Sequence, residues 1–182
     1  ALRRKVRGTP KGRTVDPAAA EQVRNLLGDE PRRRDLLIEY LHLIQDTFGH
    51  LSAAHMAALA AELRLAQTEV FEVASFYHHF DVVKEGEAAP PALTVRVCET
   101  LSCKMAGADA LLERLPKILG REVRVIPAPC VGRCEQAPVV VVGRNPIPAA
   151  TTETVKQAVA AGLSEAAKAD YIDYKAYRKA GG

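Results

Sequence analysis

Leu93-Thr94-Val95-Arg96-Val97-Cys98, continuing as Glu99-Thr100-Leu101-Ser102-Cys103, and Glu122-Val123-Arg124-Val125-Ile126, continuing as Pro127-Ala128-Pro129-Cys130-Val131-Gly132-Arg133-Cys134, decide how this chain folds. Each stretch opens with the two-residue alternation of a strand. Each then runs into a pair of cysteines, Cys98-x4-Cys103 and Cys130-x3-Cys134, and these are all the cysteines of the chain. If the two strands are neighbours in one sheet, their loops reach the same edge and four thiols meet there. Gly132 allows a positive φ inside the second loop, and Pro129 and Pro138 stiffen its two sides.

Around these stretches, residues 106–115 read as a helix that Pro116 should kink or end. Residues 139–142 read as a third strand and 152–161 as a final amphipathic helix. The order strand, helix, strand, strand, helix predicts a compact α/β unit over 92–163. Residues 16–77 are helical in pattern. Asp16 and Pro17 open a first helix that stops near Gly28. Leu36, Tyr40, Ile44 and Phe48, widened by Leu37 and Leu41, form the stripe of a second that Gly49 ends. Ser52 caps a third through Leu63. Thr68 caps a fourth with Val70, Phe71, Val73, Ala74 and Phe76 as its apolar positions. Four short helices over 16–85 make a small bundle. The break at 86–91, with two consecutive prolines, is the expected boundary. The fold class is therefore α+β, a helical bundle followed by an α/β domain. Residues 1–15 form a basic arm and 164–182 a tail whose Tyr171, Tyr174 and Tyr177 suggest an anchoring or docking segment.

Composition excludes several classes. Of 182 residues, 48% are apolar and 26% charged, which is ordinary for a globular chain and unlike disordered or fibrous ones. No apolar run approaches the ~18 residues of a membrane span, and no apolar segment follows the basic start. Neither membrane insertion nor secretion is expected, and the expected compartment is the reducing cytoplasm. The net charge of +3 is a property of the arm, where Arg3, Arg4, Lys5, Arg7, Lys11 and Arg13 stand without an acid among them. Without those six, 19 basic residues face 22 acidic ones. A short arm without interleaved aromatics gives no footprint for nucleic acid.

The chemistry lies in the cysteines. Disulfides are disfavoured in a reducing compartment, and paired spacing in loops after strands is unlike four unrelated buried thiols. A structural zinc accepts such spacings. A 2Fe-2S cluster accepts them equally, since four thiolates hold it and C-x4-C occurs in plant-type ferredoxins. Spacing alone leaves zinc and iron open. A Rieske centre needs histidines near the cysteines, and His42, His50, His55, His78 and His79 all fall in the helical part. No Cys-x-x-Cys is present for thiol exchange, and no Gly-rich dinucleotide fingerprint supports a nicotinamide site on this chain.

Val97-Cys98 with Cys103 and Gly107, then Ala128-Pro129-Cys130-Val131-Gly132-Arg133-Cys134 with Ala137-Pro138, carry a resemblance to a known family. In the helical part Leu43-Ile44-Gln45-Asp46 with Phe48-Gly49 and the run from Glu69 to Tyr77 with Phe80 carry it as well. The sequence resembles the thioredoxin-like 2Fe-2S ferredoxin subunits of NADH dehydrogenases, the E-type subunit of complex I, with relatives in NAD-dependent formate dehydrogenases and NAD-reducing hydrogenases. The resemblance implies that Cys98, Cys103, Cys130 and Cys134 ligate one 2Fe-2S cluster in a thioredoxin-like domain. It also implies single-electron exchange with the FMN of a partner flavoprotein subunit or fused domain that binds NAD. The chain would then be non-catalytic by itself, a component of an NAD-dependent oxidoreductase.

The 26-residue spacer between the cysteine pairs, short for complex I, and Arg33-Arg34-Asp35-Leu36-Leu37-Ile38-Glu39 look more like the formate dehydrogenase branch. There the chain would be a gamma subunit or the N-terminal part of a fused beta subunit, beside a molybdenum- or tungsten-containing catalytic subunit. Residues 173–182 look like the lead-in to such a fused flavoprotein. The alternatives are the same subunit of complex I or of a hydrogenase and, without redox chemistry, a zinc-stabilised docking module. Lys104 and Arg133, in or beside the ligand loops, are the candidate charges for tuning a cluster's potential.

Overall fold

The structure is a computed structural model in which residues 12–167 and 171–182 are described. It divides into two compact units, Ala1–Pro90 and Pro91–Gly182.

The first unit is helical. Helix α1 (Pro17–Leu27) starts where Asp16 accepts the N–H of Ala19, and it ends at Gly28. Helix α2 (Leu37–Phe48) follows a single 3-10 turn at Arg34–Leu36 and ends at Gly49, whose φ of 76° is left-handed. That conformation is why a glycine stands there. Helix α3 (Ala53–Leu63) is capped by Ser52, and α4 (Gln67–Phe76) completes the set. Val23, Leu27, Leu41, Ile44, Leu59 and Val70 form its core. Each such side chain contributes about 1.5–3 kcal/mol by leaving water. Helix α3 is the central one. Buried Ala57, Ala58 and Ala60 let its neighbours approach closely.

The fourth helix departs from expectation at both ends. It begins at Gln67 rather than after Thr68, because the Gln67 side chain is held by the backbone of Arg13, accepting from its N–H (2.9 Å) and donating to its carbonyl (2.7 Å). Phe71 and Phe76, expected in the apolar stripe, are exposed, and only Val70 and Ala74 of this helix are buried. Two short strands, β1 (Leu51–Ser52) and β2 (Val82–Val83), pair in parallel. At two residues each they are too short to leave a period in the sequence. Arg13 also pairs with Glu85. The other five charges of the basic arm lie outside the described residues.

His55 is buried beside Phe48, its ring centroid 4.2 Å from the phenyl ring, with Nε2 2.9 Å from Gln22 Oε1. Burial and the nearby His50 push its pKa below the usual histidine value, against a smaller opposing pull from Asp16. The folded protein therefore resists protonating His55, whereas the unfolded chain accepts the proton near pH 6.5. Its contribution to stability is intact above that pH and declines as pH falls through 6.5 toward the folded value. His55→Gln is expected to flatten the fall in melting temperature between pH 7.5 and 5. Equal slopes in the variant and the parent would remove His55 from the account.

The second unit is built on strands β3 (Leu93–Cys98), β4 (Val123–Ala128), β5 (Val140–Val142) and β6 (Asn145–Ile147), in the order β4-β3-β5-β6. Strands β3 and β4 are parallel, with Cys98 opposite Ala128, and β5 runs antiparallel to both β3 and β6. Strand β6 is an addition to the three expected from the sequence. It carries Pro146 at the sheet edge, where a missing N–H is tolerated.

Between β3 and β4 lie α5 (Leu101–Met105) and α6 (Ala108–Leu119), and α7 (Thr152–Ala160) follows β6. Helix α6 does not stop at Pro116. The proline is on the exposed side, and the apolar stripe of Leu111, Leu112, Leu115 and Leu119 continues past it into the core. Tertiary packing outweighs the lost backbone hydrogen bond. A final helix, α8 (Tyr174–Lys179), is capped by Asp173. Tyr171 and Tyr174 there are about three-quarters exposed or more, at 84% and 75%. Among the described residues no helix is long and apolar enough to cross a membrane.

Candidate metal centre

Cys98 is the last residue of β3, and its surroundings are fixed by both neighbouring strands. Its N–H donates to Val139 O (3.1 Å), and the next N–H, of Glu99, donates to Ala128 O (3.0 Å). Because β3 and β4 are parallel and in register, the loops that leave them start side by side. Cys103 comes back on α5, and Cys130 follows β4 by two residues. Cys134 opens a single 3-10 turn, Cys134–Gln136. Gly132 between the last two has a φ of 75°, which a residue with a Cβ adopts at a cost of about 1–2 kcal/mol. The sheet register thus brings all four sequence-predicted residues to one edge.

All four are free thiols, in two unlike pairs. Cys98 and Cys103 are buried at 1% and 2% exposure, and both belong to the apolar core of the unit. Cys130 and Cys134 are exposed, with sulfurs 3.6 Å apart.

Hydrogen bonds converge on these sulfurs. The Thr100 hydroxyl lies 3.2 Å from Cys98 Sγ, and the Gly132 N–H donates to Cys130 Sγ at 3.4 Å. Burial pushes the Cys98 thiol up, but the Thr100 hydroxyl and N–H, Cys103 and the Val131 N–H outweigh it, so the net shift is downward. Burial pushes Cys103 up against a hydrogen bond from the Val139 N–H. The Gly132 N–H, then Cys134 and the Thr100 hydroxyl, bring Cys130 down. Cys134 is raised by its hydrogen bond and charge interaction with Cys130, against the Ser102 hydroxyl. Each pair thus holds one thiol shifted down and one shifted up. A metal centre replaces those protons, and the backbone N–H groups remain aimed at its thiolates. Four thiols in two pairs, ringed by N–H and O–H donors, fit a binuclear iron-sulfur centre.

This is the arrangement that the comparisons with known proteins match. The family model described as thioredoxin-like [2Fe-2S] ferredoxin fits residues 23–162, which include all four cysteines and most of the helical unit. The chain belongs to the thioredoxin-like [2Fe-2S] ferredoxin family. Among curated members, NADH-quinone oxidoreductase subunit 2 of Thermus thermophilus is 31% identical over 150 residues, covering 78% of this chain and 80% of that one. An NADH-quinone oxidoreductase subunit of Aquifex aeolicus, of the E type, is 31% identical over 121 residues, 62% of this chain and 72% of that one. The NADP-reducing hydrogenase subunit HndA of Solidesulfovibrio fructosivorans is 27% identical over 139 residues, 71% and 78% of the two chains. Among solved structures, an air-oxidised NAD+-reducing [NiFe]-hydrogenase shares the fold with a TM-score of 0.56 at 20% identity. The match covers 75% of this ferredoxin-family chain and 24% of that longer one.

The two candidate tuning charges are not equivalent. Lys104 Nζ stands 4.0 Å from Glu99 Oε2, so much of its field is offset locally. Arg133 donates to the neutral Gln136 and keeps its full charge. Arg133→Gln is expected to lower a cluster's potential by on the order of tens of mV, and Lys104→Gln by less. A redox titration followed by EPR measures both. Equal shifts would mean that the Glu99 contact does not screen Lys104.

Sequence reasoning did not single out Thr100 and Ser102. Hydroxyl residues between two ligands carry no periodicity, and only the folded loop shows where they point.

Proposed function

We propose that Cys98, Cys103, Cys130 and Cys134 hold a single 2Fe-2S cluster and that the chain is the electron-transfer subunit of a nicotinamide-linked oxidoreductase complex, of the NADH-quinone oxidoreductase or NAD-reducing hydrogenase kind. The observation that carries the reading is the meeting of four thiols at one sheet edge in a chain that the [2Fe-2S] family model fits. When bound, the cluster takes up and gives back one electron at a time. The chain's own residues hold it: the buried pair fixes it to the sheet, and the exposed pair leaves its other side accessible. The N–H groups of Thr100, Val131, Val139 and Gly132 balance its negative charge.

The partner in this reading is an FMN- and NAD-binding flavoprotein subunit or fused domain. A finer reading, formate dehydrogenase with a molybdenum or tungsten subunit, is favoured by the 26-residue spacer and by the run Arg33-Arg34-Asp35-Leu36-Leu37-Ile38-Glu39. The relatives named above favour the quinone oxidoreductase and hydrogenase alternative. Purification from its native cells without oxygen tests both levels. A reddish-brown protein containing iron and acid-labile sulfide, with an EPR signal on one-electron reduction, is expected. A colourless protein with stoichiometric zinc and no sulfide would overturn the cluster. Mass spectrometry of the copurifying subunits then separates a quinone-reducing, a nickel-iron and a molybdenum or tungsten complex.

A further inference from the structure

Thr100 stands at the N-cap position of α5, where a threonine ordinarily turns its hydroxyl onto an N–H of the first helical turn. Here it makes no such bond. Its Oγ1 lies instead 3.2 Å from Cys98 Sγ. The helix start thereby forgoes its side-chain cap.

We propose that Thr100 is a positioning residue of the metal centre, whose hydroxyl donates to the Cys98 thiolate and raises the reduction potential of the cluster that this cysteine holds. The inference rests on the 2Fe-2S reading above. Reduction adds one negative charge, shared by the sulfurs, and a hydrogen bond to a charged acceptor strengthens as that charge grows. A donor to a ligating sulfur therefore stabilises the reduced state more than the oxidised one. Thr100 is half-buried, so water screens its dipole only in part.

The test uses the full chain with its cluster, comparing Thr100→Val, Thr100→Ala and Thr100→Ser by iron and sulfide content and by redox titration followed by EPR. Thr100→Val is expected to keep its cluster and to shift the reduced-to-oxidised ratio at a fixed potential about tenfold toward oxidised. For one electron that is about 59 mV downward. Thr100→Ser restores the parent value. An unchanged potential in Thr100→Val with normal cluster content would overturn the inference. So would an equal shift in Thr100→Ser, which would assign the effect to packing of the methyl group. If Thr100→Val and Thr100→Ala fail to take up iron, uptake by Thr100→Ser supports the positioning role and failure there too refutes it. Absence of iron and sulfide from the parent protein is a distinct result. It removes the cluster reading, and this inference with it.

Discussion

Cys98→Ala and Cys103→Ala are each expected to yield a colourless protein whose iron and sulfide fall to background. The two thiols lie in the apolar core of the second unit, where no other side chain can take over. No histidine stands in either ligand loop. The Thr100 and Ser102 hydroxyls are neutral donors that ligate iron poorly. Serine at either position fares little better, because a buried hydroxyl without its partner costs about 1–3 kcal/mol in addition to the lost thiolate. The exposed pair behaves differently. At Cys130 and Cys134 a serine oxygen is solvated in the apo state and can reach the metal, so Cys130→Ser and Cys134→Ser are expected to retain a cluster with altered absorption. Iron, sulfide and visible spectra of the Ala and Ser variants check the order. Full colour in Cys103→Ala would sink the ligand assignment, and total loss in Cys134→Ser would sink the distinction between the pairs.

That distinction was not available from spacing, which makes Cys98-x4-Cys103 and Cys130-x3-Cys134 look alike. What spacing did carry was the meeting of four thiols, because a two-residue period followed by a loop cysteine occurs twice and parallel register does the rest. Caps were equally plain at Asp16 and Ser52, where a short polar side chain precedes an apolar run. Elements were missed where the deciding contact is distant in sequence. Gln67 starts α4 because of Arg13, 54 residues away. Pro116 is overridden by a core that includes Val95, Val97, Val140 and Val142. Thr100 reads as a cap in any sequence pattern, and only the position of Cys98 Sγ turns its hydroxyl elsewhere. The branch within the family was least legible. It rested on a spacer length and on the short run from Arg33 to Glu39, and neither says much about the protein on the far side of an interface.

Leu115→Ala is expected to have the largest effect on stability in the second unit. Leu115 is fully buried on α6, in the same apolar cluster as Cys98 and Cys103. Truncation removes its transfer free energy and leaves a cavity, together about 2–5 kcal/mol. Domains have a net stability of about 5–15 kcal/mol, so the loss is a large share of the whole. Ile118, three residues on, is 42% exposed, and Ile118→Ala should change stability by about 0.5 kcal/mol or less. The cluster modulates the outcome. Its four ligands come from two loops that only the folded sheet aligns, so its binding free energy adds to folding and partly masks the defect. Amide hydrogen exchange in β3 of the cluster-free protein reads the defect directly. Each 1.4 kcal/mol is tenfold, so Leu115→Ala should speed exchange about 30-fold or more, and cluster reconstitution should restore much of the protection. Acceleration below about fivefold would show that α6 does not hold the β3 end of the site in place. Acceleration that persists unchanged after reconstitution would show that cluster binding and the folding of this unit are independent.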